Sequence, residues 1–274
     1  MNVLIHPNTK QRLDALAKQL PQSALLSGEL GVGLLTIARE LAGRELVLVL
    51  EPKDIKNHPD HQNGTISVEM IRELYDQTRT KHAKRQIIII DDADRMSLGA
   101  QGAFLKLLEE PGPRVHFILT SHSPDKLLPT IRSRVQQTQI TPITPEQTEK
   151  LLQNTTITDP IKRAQLSFIA EGLPAEIIRL AQDEEYFNQR AKIMSDARHM
   201  LQSGSYDQLL LVQEYQSDRG TALQLIDGML LIARRSLSIK SQVPIIKQID
   251  RLLDIQANIQ ANYNIRLQLA RIML

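Results

Sequence analysis

Two hydrophobic rhythms divide the chain. Up to about residue 140, short apolar runs alternate with stretches of three-and-four spacing. That alternation predicts strands joined by crossover helices around a parallel sheet. The runs Ala24–Ser27, Leu46–Leu50, Ile87–Ile90, Val115–Leu119 and Val135–Ile140 predict five strands. Four consecutive isoleucines at 87–90 suit a central strand covered on both faces. Between strands, Ala100, Ala103, Phe104, Leu107 and Leu108 fall at i, i+3, i+4, i+7 and i+8, one face of a helix. Proline and glycine in Glu109-Glu110-Pro111-Gly112-Pro113 end that helix.

The rhythm changes at Thr141-Pro142-Ile143-Thr144-Pro145, an expected domain boundary. Thr144 reads as an N-cap, Pro145 as the first helical residue and Gln147 as the partner in a capping box. Beyond it the pattern is helical. A small bundle is expected to run to about Gln182, and Gly204 and Gly220 punctuate the helical stretch after it. Leu223, Ile226, Leu230, Ala233 and Leu237 are spaced 3, 4, 3, 4, as in a helix packed along one seam. The stretch from Ile245 to Leu274 continues in the same style. The expected fold class is α/β followed by all-α, divided into 1–142, 143–184 and 185–274.

Composition narrows the chemistry. The chain has 274 residues and is 42% hydrophobic, enough for a normal core. Aromatics are 3% with no Trp, so stacking of nucleic-acid bases on aromatic platforms is not expected to be its main business. The absence of cysteine excludes disulfides, thiol catalysis and cysteine-ligated zinc, and fits a reducing compartment. A net charge of +2 does not mark a nucleic-acid binder. Met1–Pro7 has no basic lead or long apolar stretch, and runs such as Met229–Ala233 are far short of a membrane span. A soluble, cytoplasmic chain is expected.

The most informative motif is Gly28-Glu29-Leu30-Gly31-Val32-Gly33-Leu34-Leu35. A phosphate-binding P-loop, G-x-x-x-x-G-K-[ST], needs Lys for the β- and γ-phosphates and a hydroxyl for Mg²⁺. Here Gly28, Gly31 and Gly33 keep the turn, but Leu34 and Leu35 stand at the two working positions. Packing beneath the loop suits two leucines better than facing phosphate. About sixty residues later, Ile87–Ile90 runs into Asp91 and Asp92, the form of a Walker B strand. Asp91 takes the metal-holding position and Asp92 that of a catalytic Glu, one methylene shorter. Two readings stay open: the carboxylates cap and solvate the strand end, or they keep a Mg²⁺ contact. His58 and His61, at i, i+3 without further ligands nearby in sequence, are expected to be surface loop residues. No metal or other cofactor is expected.

The run from Leu105-Lys106-Leu107-Leu108-Glu109-Glu110-Pro111 through Thr130-Ile131-Arg132-Ser133-Arg134 resembles the clamp-loader branch of AAA+ proteins. In that branch a Leu-Leu-Lys-x-Leu-Glu-Glu-Pro helix follows Walker B, then a sensor strand and a Ser-Arg-Cys motif. His58-Pro59-Asp60, Ile66-Ser67-Val68 and Ile71-Arg72-Glu73-Leu74 are similar to the delta-prime-type subunits of bacterial DNA polymerase III. Asn262-Tyr263-Asn264-Ile265-Arg266-Leu267 resembles an Asn-x-Asn-x-x-Leu pattern in the collar helices of such subunits. Those subunits usually carry a four-cysteine zinc module, which has no counterpart in this cysteine-free chain.

The resemblance implies an AAA+ domain with a five-stranded parallel sheet, a helical lid and an oligomerising collar. It places Ser121, or the neighbouring Thr120, at a sensor position. It also places Ala175 where a lid Arg would touch the γ-phosphate, and Val135 where the Cys of Ser-Arg-Cys stands. Arg134, preceded by Ser133, becomes an arginine finger that completes a neighbouring subunit's ATP site. The implied chain is a nonmotor clamp-loader subunit without ATP of its own. Its implied partners are the gamma/tau-type ATPase subunits, the delta subunit, the sliding clamp and, through the assembly, primed DNA. The alternatives are an active AAA+ ATPase with an atypical loop and an AAA+-derived interaction module in DNA repair.

Overall fold

The computed structural model describes residues 4–61, 63–78, 84–155, 157–239 and 243–273. Met1 to Val3 and Leu274, which belong to the N-terminal and C-terminal stretches considered above, lie outside them. The chain separates into two compact units, Met1–Ile157 with Ala170–Ile178 and Thr158–Ile169 with Arg179–Leu274.

The first unit is built on α1 (Pro7–Lys18), β1 (Ser23–Ser27), α2 (Leu34–Ala42), β2 (Leu46–Leu50), α3 (Val68–Thr78) and β3 (Gln86–Ile90). It continues with α4 (Leu98–Glu109), β4 (Val115–Ser121), α5 (Pro129–Arg132), β5 (Gln136–Gln139) and α6 (Pro145–Gln153). The five strands form one sheet in the order β2-β3-β4-β1-β5, and every pairing is parallel. This is the α/β fold that the isoleucine run and the crossover pattern predict.

Alternation along β3 shows how the sheet is buried. Ile88 and Ile90 enter the core on one face with Phe104, Leu107 and Phe117. Ile87 and Ile89 enter the core on the other with Leu26, Ile37 and Ala38. Side chains at successive strand positions point to opposite faces, so two helical layers need an unbroken apolar strand. Observed β4 runs two residues past its predicted end because Thr120 and Ser121 keep pairing with Leu26 and Ser27. β5 is shorter than predicted: Val135 and Ile140 are buried but lie outside the ladder, which pairs Gln136–Gln139 with β1.

The boundary helix forms as the sequence predicts. Thr144 caps α6, Pro145 opens it, and Thr144 and Gln147 exchange both capping-box hydrogen bonds. After α7 (Pro160–Ala170) comes α8 (Pro174–Gln182), which ends where the small bundle is expected to end. The segment 143–184 is shared between the two compact units. Residues 170–178 go with the sheet because Ile143 N–H donates to the Gly172 carbonyl and Ala175 N–H to the Gly31 carbonyl.

The second unit contains α9 (Glu184–Gln202), α10 (Ser205–Tyr215), α11 (Arg219–Ile239), α12 (Val243–Gln260) and α13 (Ile265–Ala270). Ile226, Leu230 and Ala233 of the predicted seam are buried on α11, and Ile255 and Ile259 of α12 share the core with Ile226 and Leu230. Gly204 caps α10, whereas Gly220 falls inside the first turn of α11. Among the described residues, no helix is long and apolar enough to cross a membrane.

Candidate functional site

In open parallel sheets, ligands bind beyond the carboxyl ends of the strands. The turn after β1, the end of β3 and the end of β4 meet there. The turn after β1 holds the P-loop-like residues. Gly31 and Gly33 adopt φ of 91° and 89°, left-handed values that a side chain would strain. Gly28 N–H donates to the Ser121 carbonyl at 3.3 Å, holding the start of the turn against β4. Gly33 then opens α2, with Ile37 N–H donating to its carbonyl at 3.0 Å.

Leu34 is only 2% exposed and packs with Leu26, Val32, Ile37 and Ala38, while Leu35 is partly buried against the same cluster. The Gly31 carbonyl accepts from Ala175 N–H at 2.9 Å, and Leu173 joins the apolar cluster. A Cβ on Gly31 would lie 3.2 Å from that of Glu176, so the start of α8 sits close over the turn. This side of the cleft offers neither the ammonium nor the hydroxyl that a bound triphosphate and its Mg²⁺ require. The residues present there do not fit the group that the loop shape suggests.

The end of β3 is polar. Asp91 and Asp92 are 5% and 8% exposed. The Thr120 hydroxyl donates to Asp91 Oδ1 at 2.5 Å and accepts from Asp92 N–H at 2.9 Å. Asp92 itself takes φ 48° and leads into the short 3₁₀ turn Ala93–Arg95. Ser121 does not reach the pair; its hydroxyl donates to Asp94 Oδ1 at 2.7 Å. Of the two sensor candidates, only Thr120 reaches Asp91 and Asp92, because alternation along β4 turns the neighbouring residue the other way.

Two histidines complete this side. His61 Nδ1 lies 2.8 Å from Asp92 Oδ2 and 3.8 Å from Asp91 Oδ2, and its Nε2 is 4.0 Å from Glu51 Oε2. His122 Nδ1 is 2.8 Å from the Gly28 carbonyl, so it donates, and Nε2 faces Asp92 Oδ1 at 3.6 Å. His122 thus ties the glycine turn to the carboxylates. Burial raises the Asp91 pKa; the Thr120 hydrogen bond opposes the rise and the nearby Asp92 charge adds to it. Burial works against a charged His61, yet its hydrogen bond to Asp92 and the surrounding carboxylates outweigh it and raise its pKa. His58 stays on the surface of the loop, with its N–H donating to Asp54 Oδ1 at 2.9 Å. His61, exposed on the same loop, also bonds Asp92, a partner thirty-one positions away.

Arg134 stands apart from this cleft's carboxylates, just after α5. Its side chain is 39% exposed, with Nη2 2.8 Å from Glu109 Oε1 and Nη1 donating to the Thr130 carbonyl at 3.0 Å. Ser133 caps the same turn, its hydroxyl donating to the Thr130 carbonyl at 3.0 Å. Buried Gln101 of α4 fixes the approach to α5. It accepts from Leu128 N–H at 2.8 Å and donates to the carbonyls of Lys126 and Met96 at 3.3 and 3.2 Å. Sequence reasoning missed Gln101, His122 and Glu51. A lone polar residue in an otherwise apolar helical face was the available signal for the first; the others depend on tertiary contact.

Parts of the chain are similar to known proteins. The family model described as "DNA polymerase III, delta subunit" matches residues 47–144. A DNA polymerase III subunit delta' of Bacillus subtilis is 29% identical over 146 residues, covering 50% of this chain and 44% of that protein. A replication factor C small subunit of Methanococcus maripaludis is 28% identical over 183 residues, covering 63% of this chain and 53% of the relative. The chain therefore aligns with only about half the length of these curated relatives. The crystal structure of a DNA polymerase III gamma subunit-related protein from Thermotoga maritima covers 97% of both chains with a TM-score of 0.55. At 19% identity that likeness shows the fold. Over about half its length the chain is similar to DNA polymerase III delta' subunits, and its fold is α/β followed by helices.

Proposed function

We propose that this chain is a delta-prime-like, nonmotor subunit of a DNA polymerase III clamp loader, working in sliding-clamp loading during replication. It has no ATPase of its own and supplies Arg134 in trans to the ATP site of an adjacent subunit. One observation carries the reading: Leu34 and Leu35 pack into the core where a P-loop presents its Lys and hydroxyl. An AAA+ subunit without phosphate ligands has a use in a ring if it serves its neighbour's site. Its partners would be the gamma/tau-type ATPase subunits, the delta subunit, the clamp and primed DNA.

The state of Arg134 supports the second half. Its resting partner, Glu109, is half-exposed, and such surface ion pairs are worth about 0–1 kcal/mol. A guanidinium held by that pair and by the Thr130 carbonyl can exchange its carboxylate for a phosphoryl group, which it binds bidentately and without deprotonating. Gln101 anchors the backbone ahead of α5, which holds the turn that carries Arg134. An arginine finger is worth about 10³–10⁵ in turnover. The test is Arg134→Ala in the complex reconstituted with the ATPase subunits. Assembly and folding should be unchanged while ATP turnover at the adjoining site falls by about 10³ or more. Wild-type turnover in that variant would remove the finger assignment.

The retained pair Asp91 and Asp92, with Thr120 bonded to both, favours a second reading: an active ATPase with an unorthodox loop. Binding of labelled ATP with Mg²⁺ to the isolated chain separates the two.

A further inference from the structure

The carboxylate side of the cleft has a composition that phosphate chemistry does not require. We infer that His61, Asp91 and Asp92 form a site for a divalent transition cation of the zinc type, with His122 poised beside it. The ligand atoms of the three residues lie within 4.8 Å of one another. A tetrahedral ion with bonds of about 2.0–2.1 Å sets neighbouring ligands about 3.3 Å apart. His61 Nδ1 is 2.8 Å from Asp92 Oδ2 and 3.8 Å from Asp91 Oδ2, on either side of that spacing, so small shifts open the cluster around an ion.

The surroundings already orient the ligands. Metal-ligating groups are normally held by outer hydrogen bonds that fix their direction and tautomer. The Thr120 hydroxyl occupies Asp91 Oδ1 and leaves Oδ2 turned toward His61. His122 commits its Nδ1–H to the Gly28 carbonyl. In the neutral ring this aims the Nε2 lone pair at Asp92 Oδ1, 3.6 Å away. Two electron-rich atoms that face each other are relieved by a cation between or beside them. Among the described residues, only imidazoles stand within ion-pair distance of the buried Asp91 and Asp92.

The position of His61 is also built. Asp60 N–H donates to the Pro52 carbonyl at 2.9 Å, and Gly64 and Asn63 N–H groups return to the Asp60 carbonyl and carboxylate. That turn delivers His61 to the mouth of the cluster with its side chain 46% exposed, open to an entering ion. One imidazole with two carboxylates suits zinc, whereas Mg²⁺ favours all-oxygen surroundings. The site needs no nucleotide, so it stands or falls independently of the arginine-finger reading.

The experiment titrates the chelator-treated full chain with Zn²⁺ by calorimetry, without nucleotide, and repeats the titration with Co²⁺ by visible absorption. One-to-one binding is expected, with His61→Ala and Asp92→Asn each weakening it by about tenfold or more. His58→Ala, on the same loop, should bind as the wild type does, and excess Mg²⁺ should not displace Zn²⁺. Circular dichroism confirms that each variant is folded. No saturable one-to-one binding, undiminished binding in either His61→Ala or Asp92→Asn, or displacement by Mg²⁺ overturns the site.

Discussion

At the carboxyl edge of the sheet, one cleft has two sides with opposite chemistry. After β1, the positions where a P-loop would meet phosphate are Leu34 and Leu35, and the first is as buried as the strands beneath it. At the ends of β3 and β4, Asp91, Asp92 and Thr120 keep a closed set of hydrogen bonds, with His61 and His122 against them. The distinction follows from where each side chain can go. A leucine at the first turn of α2 can rotate into the core and gain about 1.5–3 kcal/mol from burial. A carboxylate at a strand end has no apolar alternative and must be paired where it stands. With leucines at these positions one side becomes core, while the other side stays polar and sets its carboxylates against imidazoles.

Substitutions on the two sides should fail in different ways. The largest effect is expected at Leu34. Leu34→Ala leaves a cavity among Leu26, Val32, Ile37 and Ala38 and should cost about 2–5 kcal/mol in chemical denaturation followed by circular dichroism. A loss below about 1 kcal/mol would mean that Leu34 is a surface loop residue and not part of the core. On the polar side, Thr120→Val removes the donor to Asp91 and the acceptor for Asp92 N–H. Buried groups left unpaired should cost about 1–3 kcal/mol in the same measurement. An unchanged midpoint would mean that the carboxylates do not depend on this hydroxyl.

How much of this was legible depended on the range of the contacts. The isoleucine run of β3, the apolar face of α4 and the Thr144–Gln147 capping box are short-range patterns, and each appears where the sequence placed it. That leucines stand at 34 and 35 was equally plain, because those positions are defined by their spacing from Gly28 and Gly33. His61 was not legible: its meeting with Asp92 requires the loop 51–65 to fold back over the end of β3. Nor was the choice between Thr120 and Ser121, which depended on how far β4 continues beside β1. The bond from Ala175 N–H to Gly31 joins positions with no shared pattern in the chain.

The proposed function rests on a glycine turn that holds no phosphate. The most direct measurement is equilibrium binding of labelled ATP with Mg²⁺ to the isolated full chain. Without the ammonium and the hydroxyl, the site forgoes charge-assisted hydrogen bonds of about 1.5–3 kcal/mol apiece, and no saturation is expected at micromolar ATP. Saturable micromolar binding that requires Mg²⁺ would contradict the account.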